Sequence, residues 1–258
     1  MNLTNQLSTR SGSPGTSIWD KFNVPVPMVN TGEYNHGVDY VWNNYGYRTH
    51  QFDQLAPEYI LTAGCSLTEG IGLSVHERWS DRVEQQLSIQ TINLAKGAAN
   101  AKFVKHVVTS WVHNQQIKPK FAIVQWPTAW RMSSYDYDSM HFLVSQNDNQ
   151  LFTTVLKYST MTFVDQWITS VIETNRWLQY HNIPCYNMML YTTDEIDKTG
   201  QISTLLEKQH ITALWDNVEN NESQGWLNRP EYAKDNMHPG PDCNQQWANQ
   251  IINIINKS

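Results

Sequence analysis

An α/β fold with a mostly parallel sheet is predicted by two features of the sequence. Short apolar runs of strand length alternate with amphipathic helical stripes, and most of the runs end at glycine or proline. Tyr59-Ile60-Leu61-Thr62-Ala63 reads as a buried strand ended by Gly64, and Trp79, Val83 and Leu87 recur every fourth residue as the apolar face of a helix. Thr91-Ile92-Asn93-Leu94 is a second short strand closed by Gly97. The next helix carries the clearest stripe, Phe103, Val104, Val107, Val108, Trp111 and Val112, and Lys118-Pro119 stops it. Phe121-Ala122-Ile123-Val124 is the third strand.

Residues 127–158 break this rhythm and read as an insertion or long loop. Phe163, Trp167, Val171 and Leu178 restore a helix, and Pro184 to Tyr191 is a fourth strand. Residues 192–234 show no fifth strand. A terminal helix starts after Pro241, with Trp247, Ile251 and Ile255 on one face. Ahead of the first strand, residues 1–57 form a loop-rich arm, rich in turn residues such as Ser11-Gly12-Ser13-Pro14-Gly15, that wraps like a lid. The main domain is expected over 58–258. In such sheets ligands gather beyond the carboxyl ends of the strands, which directs attention to the turns at Gly64-Cys65-Ser66, Lys96-Gly97-Ala98 and Gln125-Trp126-Pro127.

Composition narrows the function. With 258 residues, 40% hydrophobic, the chain can build one sizeable core. Only 16% of residues are charged, the net charge is −6, and no run of Lys or Arg occurs, which argues against nucleic acid as a partner. Cys65, Cys185 and Cys243 are odd in number and form no C-x-x-C pair, as suits free thiols in a reducing compartment. No signal-peptide-like apolar run occupies the start and no stretch has the length of a membrane span, so a cytoplasmic or virion-associated protein without a membrane partner is expected. His106 and His113 share a helix without a third ligand nearby, so neither a metal nor another cofactor is expected.

Three local features carry chemistry. Ser66 follows the first strand, where a strand-to-helix turn exposes a hydroxyl and aims its own N–H at a developing oxyanion. Taken alone, a G-x-S triplet is common by chance. Asp235-Asn236-Met237-His238, just before the last helix, offers a carboxylate to orient an imidazole and an imidazole to take the serine proton. Asn93-Leu94-Ala95-Lys96-Gly97 ends the second strand with a glycine whose backbone can approach a substrate closely.

In this order the three features resemble the SGNH/GDSL hydrolase superfamily. Ser66 in Gly64-Cys65-Ser66-Leu67 matches its nucleophile block, Gly97 its oxyanion glycine, and Asp235 with His238 its D-x-x-H block. The upstream Asn44-Tyr45-Gly46-Tyr47-Arg48 is similar to a segment that precedes the nucleophile strand in some bacterial and phage members. The resemblance implies a three-layer α/β/α sandwich with a flavodoxin-like parallel sheet, and ester hydrolysis through an acyl-enzyme. Two positions depart from the pattern. Cys65 stands where an Asp usually precedes the serine, and the third strand runs into Gln125-Trp126-Pro127-Thr128 without the Asn that donates to the oxyanion. Asn100, Gln125 and Thr128 are the candidate replacements.

Aromatic residues follow the same strand end. Trp126, Trp130 and Arg131 are expected to bind substrate, the rings by stacking on sugars and Arg131 by pairing with a carboxylate, with Tyr135 and Tyr137 beside them. Packing of the insertion onto the domain is the competing role for these rings. The expected function is a serine esterase or deacetylase acting on a small or carbohydrate-borne ester. A non-catalytic glycan-binding or structural module is the alternative, and an acyltransferase would use the same triad.

Overall fold

The computed structural model describes residues 37–38, 40–97, 99–129, 132–133, 141–142, 149–189, 201–211, 213–215 and 231–257. Its centre is a five-stranded sheet, every neighbouring pair parallel, with strands β1 (Tyr59–Ala63), β2 (Gln90–Asn93), β3 (Phe121–Trp126), β6 (Cys185–Met189) and β7 (Ala213–Trp215) in the order β2-β1-β3-β6-β7. The remaining strands, β4 (Met132–Ser133) and β5 (His141–Phe142), form a separate antiparallel pair. Every residue of β1 and β3 is buried, as a strand covered on both faces requires.

Among the described residues the α-helices are α1 (Ser66–Glu69), α2 (Trp79–Leu87), α3 (Ala101–Asn114), α4 (Asn149–Tyr180), α5 (Gln201–Lys208) and α6 (Pro241–Ile255). α2 packs on α6, while α3 packs on α4. The chain steps from β1 out to β2 and then back across β1 to β3. Right-handed crossovers therefore put α2 and α3 on opposite faces, which gives the three layers. The reversal of direction falls between β1 and β3, the kind of switch point beyond whose carboxyl ends doubly wound sheets bind ligands.

The predicted stripes are the buried ones. Trp79 and Val83 of α2, the six named positions of α3, and Trp167, Val171 and Leu178 of α4 all lie in the core, as do Trp247 and Ile251 of α6. Two expectations change. α4 begins at Asn149, inside the segment read as an insertion, where Leu151, Phe152, Val155 and Leu156 already keep a helical spacing. The fifth strand, β7, falls within residues 192–234 and spans only Ala213–Trp215, too short to show alternation.

The arm is described over residues 37–38 and 40–57, and part of it joins the core. Tyr47 and Phe52 are buried in the same cluster as the sheet residues, and Phe52 meets Trp111 of α3 edge-on at 4.6 Å. Deeper in the sheet, Asn187 of β6 exchanges two amide hydrogen bonds with Asn175 of α4, at 2.9 and 3.0 Å. Its Oδ1 also accepts from the Trp126 indole N–H at 2.8 Å.

Candidate active site

Ser66 is the first residue of α1, directly beyond β1, and is 8% exposed. The turn is tight. A β-carbon on Gly64 would stand 2.1 Å from Thr68 Oγ1 and 2.9 Å from the Gln125 carbonyl oxygen, so only glycine lets α1 sit this close to the end of β3. Thr68 Oγ1 donates to Gln125 Oε1, tying α1 to β3. Asn93, at the end of β2, donates from Nδ2 to the Thr68 carbonyl at 2.8 Å. The helix carrying Ser66 is thus fixed from both neighbouring strands.

Asp235 and His238 share one closed turn. The Ala233 amide donates to the His238 carbonyl at 2.7 Å, and Asn236 adopts a left-handed conformation (φ 57°) that asparagine tolerates. Asp235 Oδ1 accepts from the amides of Met237 (3.1 Å) and His238 (3.0 Å), while Oδ2 contacts His238 Nδ1. The Asp235 side chain is almost wholly buried and that of His238 is 20% exposed. Burial raises the carboxyl's pKa, but the hydrogen bonds from the His238 ring and from the two amides outweigh it and hold the group down to about 2. With Nδ1 taken by the carboxylate, Nε2 is the ring nitrogen left for proton transfer.

This turn is seated on the segment that follows Ser66. The Lys234 amide donates to the Gly72 carbonyl at 3.0 Å, and the Gly72 amide donates to Tyr40 Oη at 2.7 Å. Gly72 has φ 79°. The amides of Gly70 (2.9 Å) and Ile71 (3.1 Å) donate in turn to the Ser66 carbonyl. Main-chain hydrogen bonds at Ser66 and at Gly72, joined by the Ile71–Gly72 peptide bond, therefore link the serine helix to the Asp235–His238 turn.

The other predicted residues are placed less uniformly. The Gly97 amide donates to Glu69 Oε2, a carboxylate in a side chain 1% exposed, so this N–H faces a buried partner instead of an open oxyanion site. Asn100 is the N-cap of α3, its Oδ1 accepting from the Phe103 amide at 2.9 Å. Gln125 is fully buried beneath α1, with Oε1 also accepting from the Trp79 indole at 3.3 Å, while its amide Nε2 has no hydrogen-bond partner among the described residues. Thr128 is nearly buried. Trp126 is a core residue bonded to Asn187, which withdraws it from any substrate surface. Trp130, Arg131, Tyr135 and Tyr137 lie outside the described residues.

Several residues that sequence reasoning gave no role surround the site. Arg48 sits within the Asn44-to-Arg48 segment already noted, and its fully buried guanidinium bonds the carbonyls of Glu69, Gly70 and Leu73. Lys96 Nζ donates to the Gly46 carbonyl and lies over the Tyr47 ring at 5.0 Å. Burial pushes its pKa down to about 8 against the opposing pull of Glu69. Among the described residues, no group of three or more His, Cys, Asp or Glu is arranged to hold a metal, and no helix is long and apolar enough to cross a membrane.

No protein-family model and no curated protein sequence matches the chain. Solved structures do. A GDSL-like lipase from Bacteroides thetaiotaomicron is 11% identical with a TM-score of 0.51, the match covering 78% of this chain and 89% of that one. The psychrotrophic esterase EstA from Pseudoalteromonas is 13% identical with a TM-score of 0.49, covering 78% and 98%. The esterase AlinE4, described as of the SGNH-hydrolase family, is 16% identical with a TM-score of 0.43, covering 79% and 98%. The likeness at 0.51 agrees with the strand order and layering described above, and the chain has the fold of the SGNH/GDSL hydrolases.

Proposed function

We propose that the protein is a serine ester hydrolase in which Ser66, His238 and Asp235 form the triad. The observation that carries this reading is the Asp235–His238 turn, built with its carboxylate on Nδ1 and docked on the loop that leaves Ser66. His238 Nε2 takes the proton from Ser66 Oγ as that oxygen attacks the ester carbonyl carbon. The tetrahedral intermediate collapses by expelling the alcohol, which leaves with the proton from Nε2, and the acyl group stays on Ser66. Water then attacks the acyl-enzyme by the same proton route, releasing the carboxylic acid and restoring the serine. With Gly97 engaged by Glu69, the oxyanion is left to the Ser66 amide and a side-chain amide, that of Asn100 or that of Gln125, whose Nε2 has no hydrogen-bond partner among the described residues. A small or carbohydrate-borne ester is the substrate class favoured.

The Glu69–Gly97 contact also favours a second reading, a non-catalytic module with an esterase fold, because it removes one oxyanion donor. A fluorophosphonate probe separates the two. The hydrolase reading expects covalent labelling and p-nitrophenyl acetate turnover in the wild type, both lost in Ser66→Ala. A wild type that neither labels nor turns over leaves the module.

A further inference from the structure

We infer that Arg48 is a positioning residue that sets His238 against Ser66 without touching either. The inference rests on the triad reading for its catalytic consequence. One guanidinium donates to three carbonyls within 69–73, those of Glu69, Gly70 and Leu73 (Nη2 to Leu73 at 2.9 Å). Arg78 Nη1 donates at 2.7 Å to the Arg48 carbonyl, fixing the arm from the other side, and the Tyr40 ring covers the Arg48 guanidinium at 4.2 Å. Burial, and after it the neighbouring Arg78, lowers the Arg48 pKa to about 10, so the group stays charged at neutral pH. A planar fork with several donors suits converging carbonyls in a way that a lysine ammonium does not.

The segment so held carries the seat of the acid–base pair. Between the clamped Gly70 and Leu73 lies Gly72, whose carbonyl accepts from Lys234 and whose amide donates to Tyr40. A β-carbon on Gly72 would come within 2.9 Å of the Asp235 carboxyl carbon, so the turn rests directly on this residue. Ser66 enters the same segment from its other end. Arg48 and Tyr40, both from the arm, therefore fix a loop that leads from Ser66 to the seat of the Asp235–His238 turn. Displacement of a reacting group by about 1 Å can cost on the order of 10²-fold in rate, so a loosened loop is expected to act on kcat before it acts on stability.

Arg48→Lys and Tyr40→Phe, with their melting temperatures recorded, test this by amide hydrogen exchange and kinetics. In Arg48→Lys the amides of Lys234 and His238 are expected to exchange about tenfold faster or more while those of β1 and β3 keep wild-type protection. With p-nitrophenyl acetate, kcat falls about tenfold or more and KM stays within about twofold. Tyr40→Phe shows the same pattern with smaller changes. In Arg48→Ala, added guanidinium ion restores part of kcat. Unchanged exchange at Lys234 and His238 overturns the inference, as does acceleration spread evenly over the sheet, which would make Arg48 a general stabiliser. If the wild type neither labels nor turns over, the triad reading falls, and the exchange pattern still decides whether Arg48 holds the turn.

Discussion

Gly72 and Asp235 pack so closely that a β-carbon on the glycine would stand 2.8 Å from the aspartate's Oδ1. The contact joins the loop after the serine helix to the residue that orients the imidazole.

Gly72→Ala is therefore expected to be harmful on two counts. Its φ of 79° disfavours any side chain, at about 1–2 kcal/mol, and the new methyl would press on Asp235 and Ala233. A lowered melting temperature and a fall in kcat larger than any change in KM are expected. A variant as stable and active as the wild type would show that the turn rests elsewhere.

Asp235→Asn probes the carboxylate itself. The native carboxyl is held down to about 2 from an ordinary 3.8, so its protonation linkage stabilises the fold above pH 3.8 and is lost as pH falls from there towards 2. Denaturant titrations of wild type and variant are expected to differ by a constant amount at neutral pH and to converge across that window. For the reaction, loss of the tautomer-fixing carboxylate is expected to lower kcat on the order of 10³–10⁴-fold. Parallel curves down to pH 2 would place the linkage on another group.

Asn100 and Gln125 separate an oxyanion role from a packing role. Asn100→Asp keeps an oxygen to cap α3 but replaces the amide donor with a carboxylate, so it should preserve stability while lowering kcat on the order of 10²–10³-fold. Gln125→Ala removes the acceptor of Thr68 and Trp79 beneath α1 and should lower stability, and a fall in kcat on the order of 10²-fold in the folded variant would mark Nε2 as the oxyanion donor. Asn100→Asp turning over like the wild type would remove Asn100 from the oxyanion site.

Lys96 makes a prediction at alkaline pH. Its pKa is about 8 in the fold against an ordinary 10.5, so between those values the unfolded chain binds more protons and stability from this group rises with pH. Against Lys96→Met, the wild type should gain stability from pH 8 to 10.5 and show a flat difference below pH 8. A difference that shrinks or stays level across the alkaline window would argue against a desolvated ammonium at this position.

The fold was legible where periodicity was strong. The α3 stripe is buried at every named position, because a helix with one apolar face has a single way to meet a sheet. β7 was not legible for want of length, whereas the start of α4 does carry a helical spacing, Leu151, Phe152, Val155 and Leu156, which the polar stretch just before it obscured. In the site, Asp235 and His238 could be paired from the sequence because three residues of separation let one turn hold both. The state of Gly97 could not, since it depends on where the side chain of Glu69, at the end of α1, comes to rest. Arg48 was visible only as part of a segment, and its partners are carbonyls, which leave no trace in residue identity.

The amide pair of Asn175 and Asn187 has a consequence for how the sheet assembles. Hydrophobic strands in a parallel sheet can slide past one another with little change in buried area, so apolar packing alone specifies their alignment weakly. Here a slip of β6 by one residue would turn Asn187 to the other face of the sheet. The fully buried Trp126 indole N–H would then lose its partner, at a cost of about 1–3 kcal/mol, and the half-buried Asn175 amide would lose its own. The pair therefore works as an alignment mark. It adds little to the native state beyond what two well-packed apolar residues would supply, and it excludes the near-native alternatives that an all-apolar strand would leave within reach.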